Sequence, residues 1–147
     1  MADLKTFSDL VTLDYGLSVA VTVRGDGSPQ ATVVNAGVLP HPVTGVDSVG
    51  FVSPSATAKL ANLRANPAIA LTVRSGWQWT TVEGSAQLIG PDDAHPDVDA
   101  ARQRLLIREI FAAAGVTQDW DSYDQAMREK RGTVVFVTPH RIYSNPS

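Results

Sequence analysis

The chain has 147 residues, 44 % of them hydrophobic and 18 % charged, with a formal net charge of −3 and no cysteine. That composition suits one soluble globular domain over residues 1–147 and excludes disulfides, thiolate nucleophiles and cysteine zinc sites. A mildly acidic chain does not offer the basic surface of a nucleic-acid binder, and no apolar run reaches the length of a membrane span. The first sixteen residues, MADLKTFSDLVTLDYG, lack the basic and apolar regions of a signal peptide, and a reducing cytoplasm is the expected compartment.

In chain order, Phe7, Leu10, Val11 and Leu13 fall on one face of a short helix. LSVAVTV, Leu17 to Val23, is β-branched and apolar and predicts a strand. Asp26-Gly27 is a hairpin signal, and QATVVNAGVL, Gln30 to Leu39, is expected to return as a single second strand. After a Pro- and Gly-containing loop, VGFV is the third strand. SPSATAKLANLRANP then predicts a helix capped by Ser55 or Thr57, burying Leu60 and Leu63 and ending at Asn66-Pro67. AIALTV and WTTVEGSAQLI are the fourth and fifth strands, and Gly84 inside the latter marks a bulge or a close backbone approach. Asp92, Asp93, Asp97 and Asp99 read as a solvated loop and a helix start. A helix is predicted from Val98 to Ala114 with Gly115 as its stop, and another from Trp120 to Arg131 with Asp119 as its cap. TVVFVT and RIYS are expected as separate sixth and seventh strands. Many short strands joined by hairpin turns, with helices inserted late, predict a mainly β, α+β domain built on an antiparallel barrel with peripheral helices.

No catalytic constellation is visible. His41, His95 and His140 are scattered without metal-ligand spacing, so no metal is expected. Neither a nucleophile elbow nor a phosphate-binding P-loop occurs. Such a chain is a binding module, or an enzyme whose cofactor carries the reaction. The stretch after the third strand reads either as a plainly capped helix start with a solvated Lys59 or as a cradle for an anion. A helix start presents unpaired N–H groups, and Ser53, Ser55 and Thr57 add hydroxyls. Lys59 adds a positive charge within one turn. Trp77 and Trp79, two apart at a strand start, point the same way and can stack on a planar ring.

DGSPQATVVNAG, FVSPSATAKLANLRANPAIALTV and GWQWTTVEGSAQLI, in that order, resemble the pyridoxamine 5'-phosphate oxidase-like superfamily of FMN-binding split β-barrels. DWDSYDQAM and HRIYS resemble its actinobacterial branch of flavin- and deazaflavin-dependent reductases. The resemblance implies a homodimer with cofactor sites between the subunits. It implies cofactor contacts at Gln30, Thr32, Val34 and Asn35 and at Ser53, Thr57, Ala58 and Lys59, with Trp77 and Trp79 reaching in from the partner. FMN-using members place basic residues where this chain has Gln30, Asn35 and Ala58, which disfavours FMN. The deazaflavin F420 is the expected cofactor, its tail met by Lys59 with Arg64 and Arg74 as looser partners. The implied activity is hydride transfer from reduced F420 to a conjugated small-molecule acceptor, with Tyr143 or solvent supplying a proton and no residue assigned as catalytic. The alternatives are an FMN-dependent oxidoreductase and a non-catalytic F420-, flavin- or haem-binding protein.

Overall fold

The computed structural model describes residues 2–116 and 119–146. Its first hairpin follows from the turn residues between two runs of alternating burial. The Asp26 carboxylate accepts from the Ser28 amide at 2.9 Å, and Gly27 takes the left-handed φ of +86° that closes the turn. Strand β1, Leu17–Val23, thereby pairs antiparallel with β2, Pro29–Asn35. Ser18, Ala20 and Thr22 point inward, whereas Leu17, Val19, Val21 and Val23 line the outer face.

The expected single strand from Gln30 to Leu39 is two. The Ala36 amide turns to the Gly16 carbonyl at 2.8 Å, and the chain leaves β1. It restarts as β3, Gly37–Pro40, which pairs with β4, Asp47–Ser53, at the far end of the sheet. The break depends on tertiary packing. A Cβ on Gly37 would lie 2.7 Å from the backbone of Ala113, so a helix docks directly on this peptide.

Helix α2, Ala58–Ala65, follows β4 and is capped by Thr57; it ends at Asn66, before Pro67. Strands β5, Ala68–Ser75, and β6, Gln78–Ile89, form the next hairpin. The two expected C-terminal strands are one, β7, Thr133–Ser144. It passes through Pro139 because β6 and β7 shift register between Glu83 and Gly84, and a bulge tolerates a residue with no N–H. Gly84 is required there: a Cβ would lie 2.1 Å from the Thr138 carbonyl oxygen. The sequence reading of bulge and close approach both hold.

The sheet order is β2-β1-β5-β6-β7-β4-β3, with every pairing antiparallel. β2 packs against β4 without ladder pairing, so the sheet is rolled but not closed. The fold is that of a split barrel with helices at its periphery. Helix α1, Leu4–Val11, contributes Phe7 and Val11 to the interior, which also holds Ala20, Phe51, Leu71 and Val137. Leu13, expected on the same helical face, is exposed, because the chain passes into a 3-10 turn at Thr12.

A second core lies outside the barrel. Helix α3, Ala100–Ala113, lays Leu106, Ile107, Ile110 and Phe111 over Leu39, Ile89, Val134 and Phe136. Thr133 to Val137 is therefore buried on both faces, and its unbroken apolar run follows from that. Helix α4, Trp120–Glu129, stops two residues earlier than expected, in a turn that gives Arg131 a φ of +54°. Asp119 takes the extended conformation of a cap residue but makes no side-chain capping bond.

Candidate cofactor site

β2 is one of the sheet's two edge strands among the described residues, and its alternation turns Gln30, Thr32 and Val34 toward the barrel interior. α2 crosses this face. The Asn62 side-chain amide donates to Gln30 Oε1 at 3.0 Å and to Thr22 Oγ1 at 3.1 Å. The structure thus ties Gln30 to the helix that carries Lys59. Thr32 Oγ1, on the same face, is buried without a hydrogen-bond partner among the described residues. Asn35 faces the other way and donates to the Tyr15 carbonyl at 2.7 Å, fixing the left-handed turn at Tyr15.

The second half of the site is the β4–α2 connection. Buried Ser53 and half-buried Thr57 join their hydroxyls at 3.0 Å. Thr57 Oγ1 accepts from the Leu60 amide, while the amides of Ala58 and Lys59 make no hydrogen bond among the described residues. Ala58 is exposed and leaves the approach to these amides open. Lys59 is half-buried with no acidic partner among the described residues, and burial pushes its ammonium pKa below the usual lysine value. An ammonium, two helix-start amides and hydroxyls, with no carboxylate bonded to them, make a donor set for a single anionic group. An orphaned hydroxyl and the Gln30 amide stand alongside for a polar ring or chain. These residues fit an anion-tailed cofactor.

Two expected tail partners are otherwise engaged. Arg64 forms a bidentate pair with Asp93, at 3.0 and 2.7 Å, and also donates to Ser55. Arg74 lies on the outer face of the sheet, exposed, donating weakly to the Gly76 carbonyl at 3.4 Å. There it shares a groove of about 600 Å³ with Val19, Thr72, Trp77 and Trp79. Trp77, 92 % exposed, sits in the β5–β6 turn; Trp79 packs edge-on against Tyr143 with ring centroids 6.1 Å apart. No residue of the β2–α2 corner lines this groove, so one subunit alone does not bring the tryptophans to the corner. Tyr143 donates to Glu83, which raises its pKa and keeps its proton in place.

The residues that sequence reasoning missed are Asn62 and the carboxylates Asp92 and Asp93. The acids read as solvated, yet both are ion-paired, Asp92 with Arg131 and Asp93 with Arg64. Their partners lie 39 and 29 positions away, and no local pattern announces a contact at that range. Among the described residues no cluster of metal-ligating side chains occurs and no helix is long and apolar enough to cross a membrane.

Residues 14–145 match the protein family described as Pyridoxamine 5'-phosphate oxidase. Solved structures share the fold. A conserved hypothetical protein from Mycobacterium tuberculosis is 19 % identical, with 98 % of this chain and 84 % of that chain covered and a TM-score of 0.66. An F420 reductase is also 19 % identical, with 92 % and 94 % covered and a TM-score of 0.58. A pyridoxamine 5'-phosphate oxidase-related, FMN-binding protein from Nostoc punctiforme is 14 % identical, with 96 % and 80 % covered and a TM-score of 0.65.

Proposed function

The chain belongs to the pyridoxamine 5'-phosphate oxidase family, and from that premise we propose that it is an F420-dependent reductase acting on a conjugated small molecule. The observation that carries the choice of cofactor is the single unpaired ammonium at the anion corner. At the phosphate itself, the phosphomonoester of FMN brings close to two negative charges to one point, whereas the phosphodiester of F420 brings one, its glutamate carboxylates lying further along the tail. Lys59 and the start of α2 match the second, because Gln30, Asn35 and Ala58 add no charge and Arg64 is held by Asp93. One of the fold relatives is itself an F420 reductase, which is compatible with this reading.

When bound, the deazaflavin supplies the hydride chemistry. The protein's own residues bind and orient. Lys59, the Ala58 and Lys59 amides and the Ser53–Thr57 hydroxyl pair hold the tail; Gln30 and Thr32 offer hydrogen bonds along β2, and Val34 gives apolar contact. The outer face of the sheet docks a second copy of the chain, whose Trp77 and Trp79 close over the corner and exclude water. The proton needed after reduction comes from solvent, since Tyr143 is committed to Glu83.

Parallel titrations of F420 and FMN, followed by tryptophan quenching, test the reading. F420 is expected to bind more tightly than FMN. Lys59→Ala is expected to weaken F420 about tenfold to a hundredfold, the range of one charge-assisted hydrogen bond. A protein that purifies yellow with FMN, or a Lys59→Ala variant of undiminished F420 affinity, overturns it. Tight F420 binding without turnover of any acceptor converts the reading to a carrier.

A further inference from the structure

The β4–α2 connection hangs from Ser55. This residue is 5 % exposed, and all its polar groups are used. Its amide donates to the Lys130 carbonyl at 3.3 Å, and its carbonyl accepts from Arg64 Nη1 at 3.1 Å. Its hydroxyl donates to Asp92 Oδ2 at 2.6 Å and accepts from Arg64 Nη2 at 3.0 Å. Asp92 is in turn gripped by Arg131 Nε and Nη2 at 2.9 and 2.7 Å, and Asp93 by Arg64. One buried hydroxyl therefore links two bidentate ion pairs. It joins three separate segments: the connection into α2, the loop after β6, and the turn from α4 into β7.

Arg131 gives this linkage an independent mark. It is the second residue past the end of α4, just after the cap residue Lys130, with a left-handed φ of +54°, a conformation that glycine adopts freely and other residues adopt at a cost. The backbone there asks for glycine, and the side chain present is the one that closes the clamp on Asp92.

We infer that Ser55 is a positioning residue: through the Asp92–Arg131 and Arg64–Asp93 pairs it sets where Thr57 and Lys59 stand, and so tunes the grip on the cofactor's anionic tail. The inference rests on the proposed anion corner. Ser55 touches no part of the tail itself; it acts two residues upstream of the cap and four upstream of the ammonium. The clamp also couples the corner to both ends of the α3–α4 excursion, because Asp92 and Arg131 flank it.

The test is the Ser55→Ala variant, which leaves both ion pairs with their own partners. Affinity is measured for F420 and for its chromophore lacking the phosphate-bearing tail, and likewise for FMN and riboflavin. In the wild type the tailed member of one pair binds more tightly. In Ser55→Ala that preference is expected to fall about tenfold, with affinity for the tail-less chromophore kept. Asp92→Asn, which retains an acceptor for the Ser55 hydroxyl, is expected to keep more of the preference. A variant that loses tailed and tail-less ligands equally, or only melts at a lower temperature with the preference intact, overturns the positioning role. A wild type with no preference for the tailed ligand overturns the anion corner instead, so the two failures are distinguishable.

Discussion

An ammonium group that burial has already pushed toward its neutral form responds to an anion in a definite direction. The protonated form of Lys59 binds the tail, so affinity is present below its depressed pKa and lost as pH rises through it. Lys59→Arg keeps its charge over that range, and the F420 titration is expected to lose its alkaline limb in this variant. Stability moves the other way. The unfolded chain holds the Lys59 proton up to the ordinary 10.5, whereas the folded protein gives it up earlier. Without ligand, wild type should therefore gain on Lys59→Met between the depressed pKa and 10.5, read as the difference of their urea midpoints across pH. Asp92 shares the direction, stability rising with pH, but here the charged form is the favoured one: hydrogen bonds from Arg131 and then Ser55 hold its carboxyl below the ordinary 3.8, so its contribution is present above that value and is lost as pH falls below it. At this scale Lys59 was legible, because a lone charge at a helix start is a local pattern. Ser55 was legible only as a cap candidate; its use as a linchpin depends on residues 37 and 9 positions distant.

Hairpins and helix stops were legible because Asp26-Gly27 and Asn66-Pro67 decide the backbone within a few residues. The division of Gln30–Leu39 into β2 and β3 was not, since it depends on Ala113 approaching Gly37. The continuity of β7 through Pro139 was hidden too, because the bulge that tolerates the proline sits in the pairing with β6. That bulge is tightly determined. Gly84→Ala places a methyl group against the Thr138 carbonyl oxygen and is expected to destabilise the fold by about 3 kcal/mol, at the upper end of overpacking costs. Gly76→Ala, at φ +60° in open space, is expected to cost about 1 kcal/mol, the left-handed penalty alone. Urea denaturation of the two variants separates the effects; equal losses would remove the steric account of Gly84.

An antiparallel barrel with peripheral helices was readable from strand lengths and turns, and its split form from the family resemblance, whereas the placement of the tryptophans was not, since a groove on the outer face is a property of the assembled sheet. That face is apolar where solvent would favour polar residues. Val19 and Val33 stand directly opposite each other and are 41 % and 63 % exposed, with Leu17 beside them on the same face. Val19→Glu with Val33→Glu is expected to convert a dimer to a monomer in sedimentation velocity and to weaken cofactor binding in parallel; a wild type that sediments as a monomer defeats the expectation. The sheet order carries a further consequence, for the time course of synthesis. Among the described residues β7 is the only ladder connection between β2-β1-β5-β6 and β4-β3, and it is the last of these strands to be synthesised. Until it arrives, a nascent chain holds two unjoined half-sheets with open edges at β4 and β6, and the anion corner, which takes β2 from one half and β4 from the other, has no fixed geometry. Chaperone dependence should therefore persist until this strand has emerged and end when it slots in.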